Sequence, residues 1–275
     1  MRHDPRRYVL KAAGSEFFIR EDGPEDAPII FGLHSLFLNG SMFDGFVEAA
    51  SAEFRIIRPD FRGQGQSAPA NSGIVTMDDC AEDMSALIDV LGIRTCQLLA
   101  QSMGGDVAFR LALLRPDVVS SIVVLGSSAC SEPEEQLAEF REWVAGVERQ
   151  GFTGDVLDYT TRIMLGESCR ADVSRKHVLD WMTVQLQSLD ETLLPAMRGV
   201  VERPSIVSEL PRIEVPVLIV SGLEDMPRPP EWSEEMHREL PNSKLLSLDK
   251  VGHSPILEVP GLVVPRLMEF YRTAA

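Results

Sequence analysis

The stretch CQLLAQSMGGDVAFRLALL, from Cys96 to Leu114, constrains the fold more than any other part of the chain. Leu98, Leu99 and Ala100 sit in a short apolar run bounded by a turn signal, the pattern of a strand buried within a parallel sheet. Val107, Ala108, Leu111 and Leu114 then recur at helical spacing. Between strand and helix lies Ser102, in A-Q-S-M-G, one residue off the G-x-S-x-G motif whose strained turn lifts the serine oxygen above the sheet. Strand and helix backbones nearly touch at such a turn, so the positions two before and two after the serine must be small. Ala100 and Gly104 meet that need, and Gly105 adds slack. Taken alone, the pentapeptide also fits a serine that merely opens a helix, and the rest of the chain has to decide.

Strands and helices alternate on either side. Tyr8 to Ala12 and Glu16 to Arg20 read as a hairpin. Pro28 to His34 and Phe54 to Arg58 read as buried strands, with a helix predicted from Met42 to Ala52 between them. Thr76 opens a helix to Leu91, with Asp79 as its capping-box partner and Gly92 at the C-cap. A β-branched run, Ser121 to Leu125, follows the central helix. From Ser131 to about Glu209 only helical periodicity is present, carried by faces such as Leu137, Phe140, Val144 and Val147, then Val178, Trp181, Met182 and Leu186. Strands Val215 to Val220 and Lys244 to Leu248 resume the alternation, with helices from Glu231 to Leu240 and Val259 to Tyr271. The pattern predicts an α/β fold, a mostly parallel eight-stranded sheet with helices on both faces. The expected domains are a core of residues 1–130 and 210–275, with 131–209 inserted as a helical cap or lid.

A serine hydroxyl needs a base in contact, itself oriented by a buried carboxylate. The order Ser, acid, His, each from the loop at the C-terminal end of a strand, is met by Ser102, Asp225 and His253. Glu224 is adjacent to Asp225, but its side chain should point away if that of Asp225 points in. After the strand that ends at Leu125 no carboxylate occurs until Glu132, which strengthens Asp225. Of the five histidines, His3 lies at the terminus, His177 and His237 lie in helices, and His34 suits a role bonding loop backbone. Two N–H donors must hold the oxyanion. The expected ones are the backbone amides of Met103, which follows the serine, and Leu36, in the loop after the third strand.

The net charge of −16 argues against nucleic acid and anionic membranes as partners. No apolar run approaches the length of a membrane span, and no signal-peptide pattern is present, so a cytoplasmic setting is expected. The four cysteines have no ligand spacing, so neither a disulfide framework nor a metal site is expected.

Residues 25–272 resemble a capped, cofactor-independent α/β-hydrolase. The resemblance is carried by IIFGLHSLFLNGSMFD, RPDFRGQGQS, LLAQSMGGDVA, VPVLIVSGLEDMPRPPE and VGHSPILEVP, which occur in the order such proteins have them. His34-Ser35-Leu36, Met42-Phe43 and Gly222, Asp225, Pro229 and Pro230 look like the 3-oxoadipate enol-lactonase-like group within it. Ala100, Gln64 and Gln101 depart from the common pattern, the two glutamines standing where many relatives carry histidine.

The resemblance implies hydrolysis of a small carboxylic ester or lactone, an enol-lactone type included, through an acyl-serine intermediate and without cofactor. The expected partner is that small-molecule substrate, and a homo-oligomer is left open. Expected pocket residues are Phe37, Gln101, Trp143 and Trp181, with Arg162 the available cation of the cap. Two other readings stand beside this one: a C–C bond hydrolase of a β-diketone-like substrate, and a non-catalytic small-ligand receptor on the same fold.

Overall fold

A computed structural model describes residues 5–274, so the position of His3 lies outside the described residues. Strands β1 (Arg6–Ala12) and β2 (Ser15–Asp22) form the expected antiparallel hairpin. They are followed by β3 (Ile29–Leu33), β4 (Arg55–Pro59), β5 (Cys96–Gln101), β6 (Val119–Leu125), β7 (Val217–Gly222) and β8 (Ser243–Leu248). One sheet contains all eight, in the order β1-β2-β4-β3-β5-β6-β7-β8. β2 pairs antiparallel with β4, and every pairing from β4 to β8 is parallel. β5 lies inside the sheet and all its residues are buried, which is why it reads as a run rather than an alternation.

Helices α1 (Asp44–Ala50), α2 (Met77–Val90) and α3 (Met103–Leu114) connect these strands. Thr76 and Asp79 close the capping box on α2 reciprocally, as the sequence predicts. Between β6 and β7 the chain is helical throughout its regular structure: α4 (Glu134–Gln150), α5 (Gly154–Met164), α6 (Glu167–Ala171), α7 (Lys176–Gln187) and α8 (Leu194–Val201). Helices α9 (Pro230–Glu239), α10 (Pro255–Glu258) and α11 (Pro260–Thr273) complete the fold.

Two helices differ from the sequence reading. The predicted helix at Met42 is split, because the Asn39 side chain takes the Ser41 N–H at 3.0 Å and winds residues 40–43 into a 3-10 turn before α1. The final helix is preceded by α10, and the two part at Val259, whose backbone leaves the helical region with φ −139° and ψ 55°; Pro260, lacking an N–H, starts α11.

The loops above β3 and β4 share a buried hub. Asp60 takes the Arg20 guanidinium at 2.5 Å, the Gly40 N–H at 2.9 Å and the Gln66 N–H at 2.9 Å. One carboxylate thus fixes the loop 34–40 against the glycine-containing loop 60–67, both of which border the serine turn.

Candidate active site

Ser102 stands between β5 and α3 with φ +52° and ψ −118°, a left-handed conformation that L residues avoid. The strain is held by its neighbours. Its N–H donates to the Leu125 carbonyl at 2.9 Å, and its own carbonyl accepts the Ser127 hydroxyl at 2.8 Å and the Gly105 N–H at 2.8 Å. The sequence requirement for a small residue at 104 has a steric basis here: a Cβ on Gly104 would lie 2.6 Å from the Leu33 carbonyl carbon and 2.8 Å from the His34 oxygen.

The three expected side chains meet. Ser102 Oγ lies 2.7 Å from His253 Nε2, and His253 Nδ1 lies 2.9 and 3.0 Å from the two carboxylate oxygens of Asp225. All three residues are buried. With Nδ1–H donating to Asp225, the Nε2 lone pair faces the serine hydroxyl, the tautomer a general base requires. Asp225 comes from the loop after β7 and also accepts the Arg228 N–H at 2.9 Å. Glu224 points the other way, as expected, and binds Ser168.

His34 is wholly buried: Nδ1 donates to the Ser35 carbonyl at 2.8 Å and Nε2 accepts the Phe61 N–H at 2.9 Å. Burial lowers its pKa, so it stays neutral and joins two loops. Beyond it, Phe37 has φ +71°, a second left-handed non-glycine residue. Among the described residues, no protein acceptor takes the N–H of Leu36 or of Met103. Both amides are therefore free to donate, as oxyanion donors must be.

A narrow cavity of about 40 Å³ opens on Ser102 and His253. Leu36 and Phe37 form one wall, Phe140 and Trp143 of α4 another, and Ile163, Met164, Val200 and Val201 of α5 and α8 close it. Phe37 meets the rings of Trp143 and Phe152 edge-on at 5.6 Å. Of the residues expected in the pocket, Phe37 and Trp143 line this cavity, while Gln101 and Trp181 do not. Gln101 instead donates to the His253 carbonyl, and Trp181 packs partly buried against the core on α7. Nor is Arg162 the local cation: it is exposed, over the Tyr159 ring.

The cation of the cavity is Arg228, with Glu132 beside it, and neither was singled out as a site residue from the sequence. Glu132 Oε1 receives Arg203 at 2.5 Å and Arg228 at 2.8 Å, and Arg203 Nε lies 3.2 Å from Asp106. The two arginines hold the Glu132 carboxyl below its usual range against burial, whereas burial pushes Asp106 up. One sequence signal points to this cluster. Asp106 falls on the helix that packs against the central strand, where a charge has to find a partner.

A model of the alpha/beta hydrolase family matches residues 30–266. The chain is 26% identical over 248 residues to a pimeloyl-[acyl-carrier protein] methyl ester esterase of Nitrosomonas europaea, covering 86% of this chain and 92% of that one. Among solved structures, a thermophilic esterase from Thermogutta terrifontis is 27% identical with a TM-score of 0.86, covering 98% of this chain and 99% of that one. An enol-lactonase from Burkholderia xenovorans shares the fold, with a TM-score of 0.87, 22% identity and coverage of 96% and 100%.

Proposed function

The chain belongs to the alpha/beta hydrolase family and is an enzyme of that fold, and on this premise we propose that it cleaves a small carboxylic ester or lactone through an acyl-serine intermediate. The observation that carries the reading is the unbroken hydrogen-bonded chain from Ser102 through His253 to Asp225, opening on the cavity.

Ser102 Oγ attacks the carbonyl carbon while His253 Nε2 takes its proton, and Asp225 stabilises the imidazolium. The amides of Leu36 and Met103 receive the developing oxyanion. His253 then returns the proton to the leaving oxygen, which in a lactone stays tethered to the acyl group. Water deprotonated by His253 attacks the acyl-serine and frees the acid. Residues 131–209 act as a cap over a core of 1–130 and 210–275, and their apolar side chains favour a short acyl group. An enol-lactone suits this site because its ring oxygen leaves as a stabilised enolate. The four unpaired cysteines fit a cytoplasmic setting. Among the described residues, no helix is long and apolar enough to cross a membrane.

Ser102→Ala is expected to lower hydrolysis of a short p-nitrophenyl ester by roughly 10⁵- to 10⁶-fold. A variant that keeps more than about a tenth of the wild-type rate overturns the mechanism.

A further inference from the structure

The loops that carry His253 and Asp225 are fastened to one short piece of chain, Met164 to Ser168, which links α5 and α6. Glu258, the last residue of α10, is 3% exposed. Its Oε2 accepts the N–H of Gly252 at 3.0 Å and of Gly166 at 3.3 Å, and its Oε1 accepts the N–H of Ser254 at 3.1 Å. The amides on both sides of His253 therefore end on one carboxylate. Ser254 Oγ donates to the Met164 carbonyl at 2.7 Å. Glu224, next to the acid of the triad, accepts the Ser168 N–H at 2.7 Å and its hydroxyl at 2.5 Å.

Gly166 and Gly252 cross in close contact. A Cβ on Gly166 would fall 2.7 Å from the Gly252 nitrogen and 2.8 Å from the Glu224 carboxylate. On its other side the His253 backbone is held through its carbonyl by Gln101. Burying a carboxylate is costly, and burial does push the Glu258 pKa up against its three amide donors. An apolar side chain would fill the same space without that cost, so the charge is explained by what it holds. Met164 joins the two ends of the arrangement: it lines the cavity, and its carbonyl is bound by the residue that follows His253.

We propose that Glu258 is a positioning residue, which sets the His253 imidazole between Ser102 and Asp225 by holding both flanking amides. Together with Glu224 it couples the catalytic loops to the Met164–Ser168 link, so that the base is in register when the helical insertion is seated. This inference rests on His253 being the base.

The test measures kcat and KM for a short p-nitrophenyl ester in Glu258→Ala, Glu258→Gln and Gly166→Ala, with folding checked by near-UV circular dichroism. Glu258→Ala is expected to lower kcat by about 10²-fold with KM within about threefold, the signature of a base displaced rather than a pocket altered. Glu258→Gln keeps an acceptor for one flanking amide but turns an NH2 donor on the other, and is expected to fall between wild type and the alanine variant, about tenfold below wild type in kcat. Gly166→Ala touches no reacting group and is expected to lower kcat by about tenfold. A folded Glu258→Ala with kcat within about twofold of wild type overturns the proposal, as does a Glu258→Ala whose loss lies in KM rather than in kcat. If Glu258→Ala does not fold, Gly166→Ala decides: a wild-type kcat there overturns the coupling. Ser102→Ala and His253→Ala run alongside. Activity surviving in those two removes the triad reading itself, whereas their inactivity beside a fully active Glu258→Ala removes only the role of Glu258.

Discussion

Helix α3, which begins directly after Ser102, and helix α4, whose Phe140 and Trp143 line the cavity, are built in opposite ways. Ten of the twelve residues of α3 are buried, and its first turn sits against the backbone at the end of β3 and the Ser127 side chain just after β6, contacts that leave no room for a Cβ on Gly104 or Gly105. Of the seventeen residues of α4 only Val144, Gly146 and Val147 are buried, and it reaches the cavity with Phe140 and Trp143. The lower side is a rigid frame for strained backbone and directed hydrogen bonds. The upper side is an apolar wall with few buried residues, tied to its neighbours by Trp143 on Thr160 and Arg141 on Glu202. On the proposed mechanism, chemistry belongs to the first and fit to the second.

That division is most strongly tested where it forbids the upper side from contributing chemistry. Asp225→Asn is expected to cost about 10³- to 10⁴-fold in kcat, because an amide facing Nδ1 favours the wrong imidazole tautomer. Glu224→Gln, whose side chain faces the helical insertion, is expected to cost less than about tenfold in the same assay. The reverse ranking would place the acid wrongly.

A smaller effect sharpens the comparison from above. Trp143→Ala is expected to shift the preference among acyl chain lengths by about tenfold in kcat/KM toward longer acids, with Trp181→Ala within about twofold of wild type. Equal effects would show that the wall is not local to α4.

The smallest effect concerns the frame alone. His34 has its pKa lowered by burial, so below about pH 6.5 the unfolded chain binds a proton that the folded one refuses. Its contribution makes stability fall as pH drops from about 6.5 toward the folded pKa, and leaves stability flat above. Urea midpoints between pH 5 and 7 are expected to show that slope in the wild type and a shallower one in His34→Gln. Identical slopes would mean that His34 is not held neutral.

Legibility in the sequence follows the same line. The sheet and the three side chains at its strand ends could be read because small residues, β-branched runs and turn signals are local necessities there. Trp143 and Trp181 could not be told apart, since both lie on amphipathic helices and only the tertiary packing decides which faces the cavity. Gln101 was expected in the pocket because it precedes the serine. It turns instead to the His253 carbonyl, a partner 152 positions away. Arg228 lay within a stretch already read as the acid loop, but its ion pairs with Glu132 and Asp106, both shared with Arg203, join four separate parts of the chain.

The cavity's lining carries a last consequence. One side of it is Phe140 and Trp143, carried by a helix with three buried residues of seventeen. Exchanging those two side chains resizes the space before Ser102 while the packing of the sheet stays as it is, which is how one scaffold can take up a new substrate.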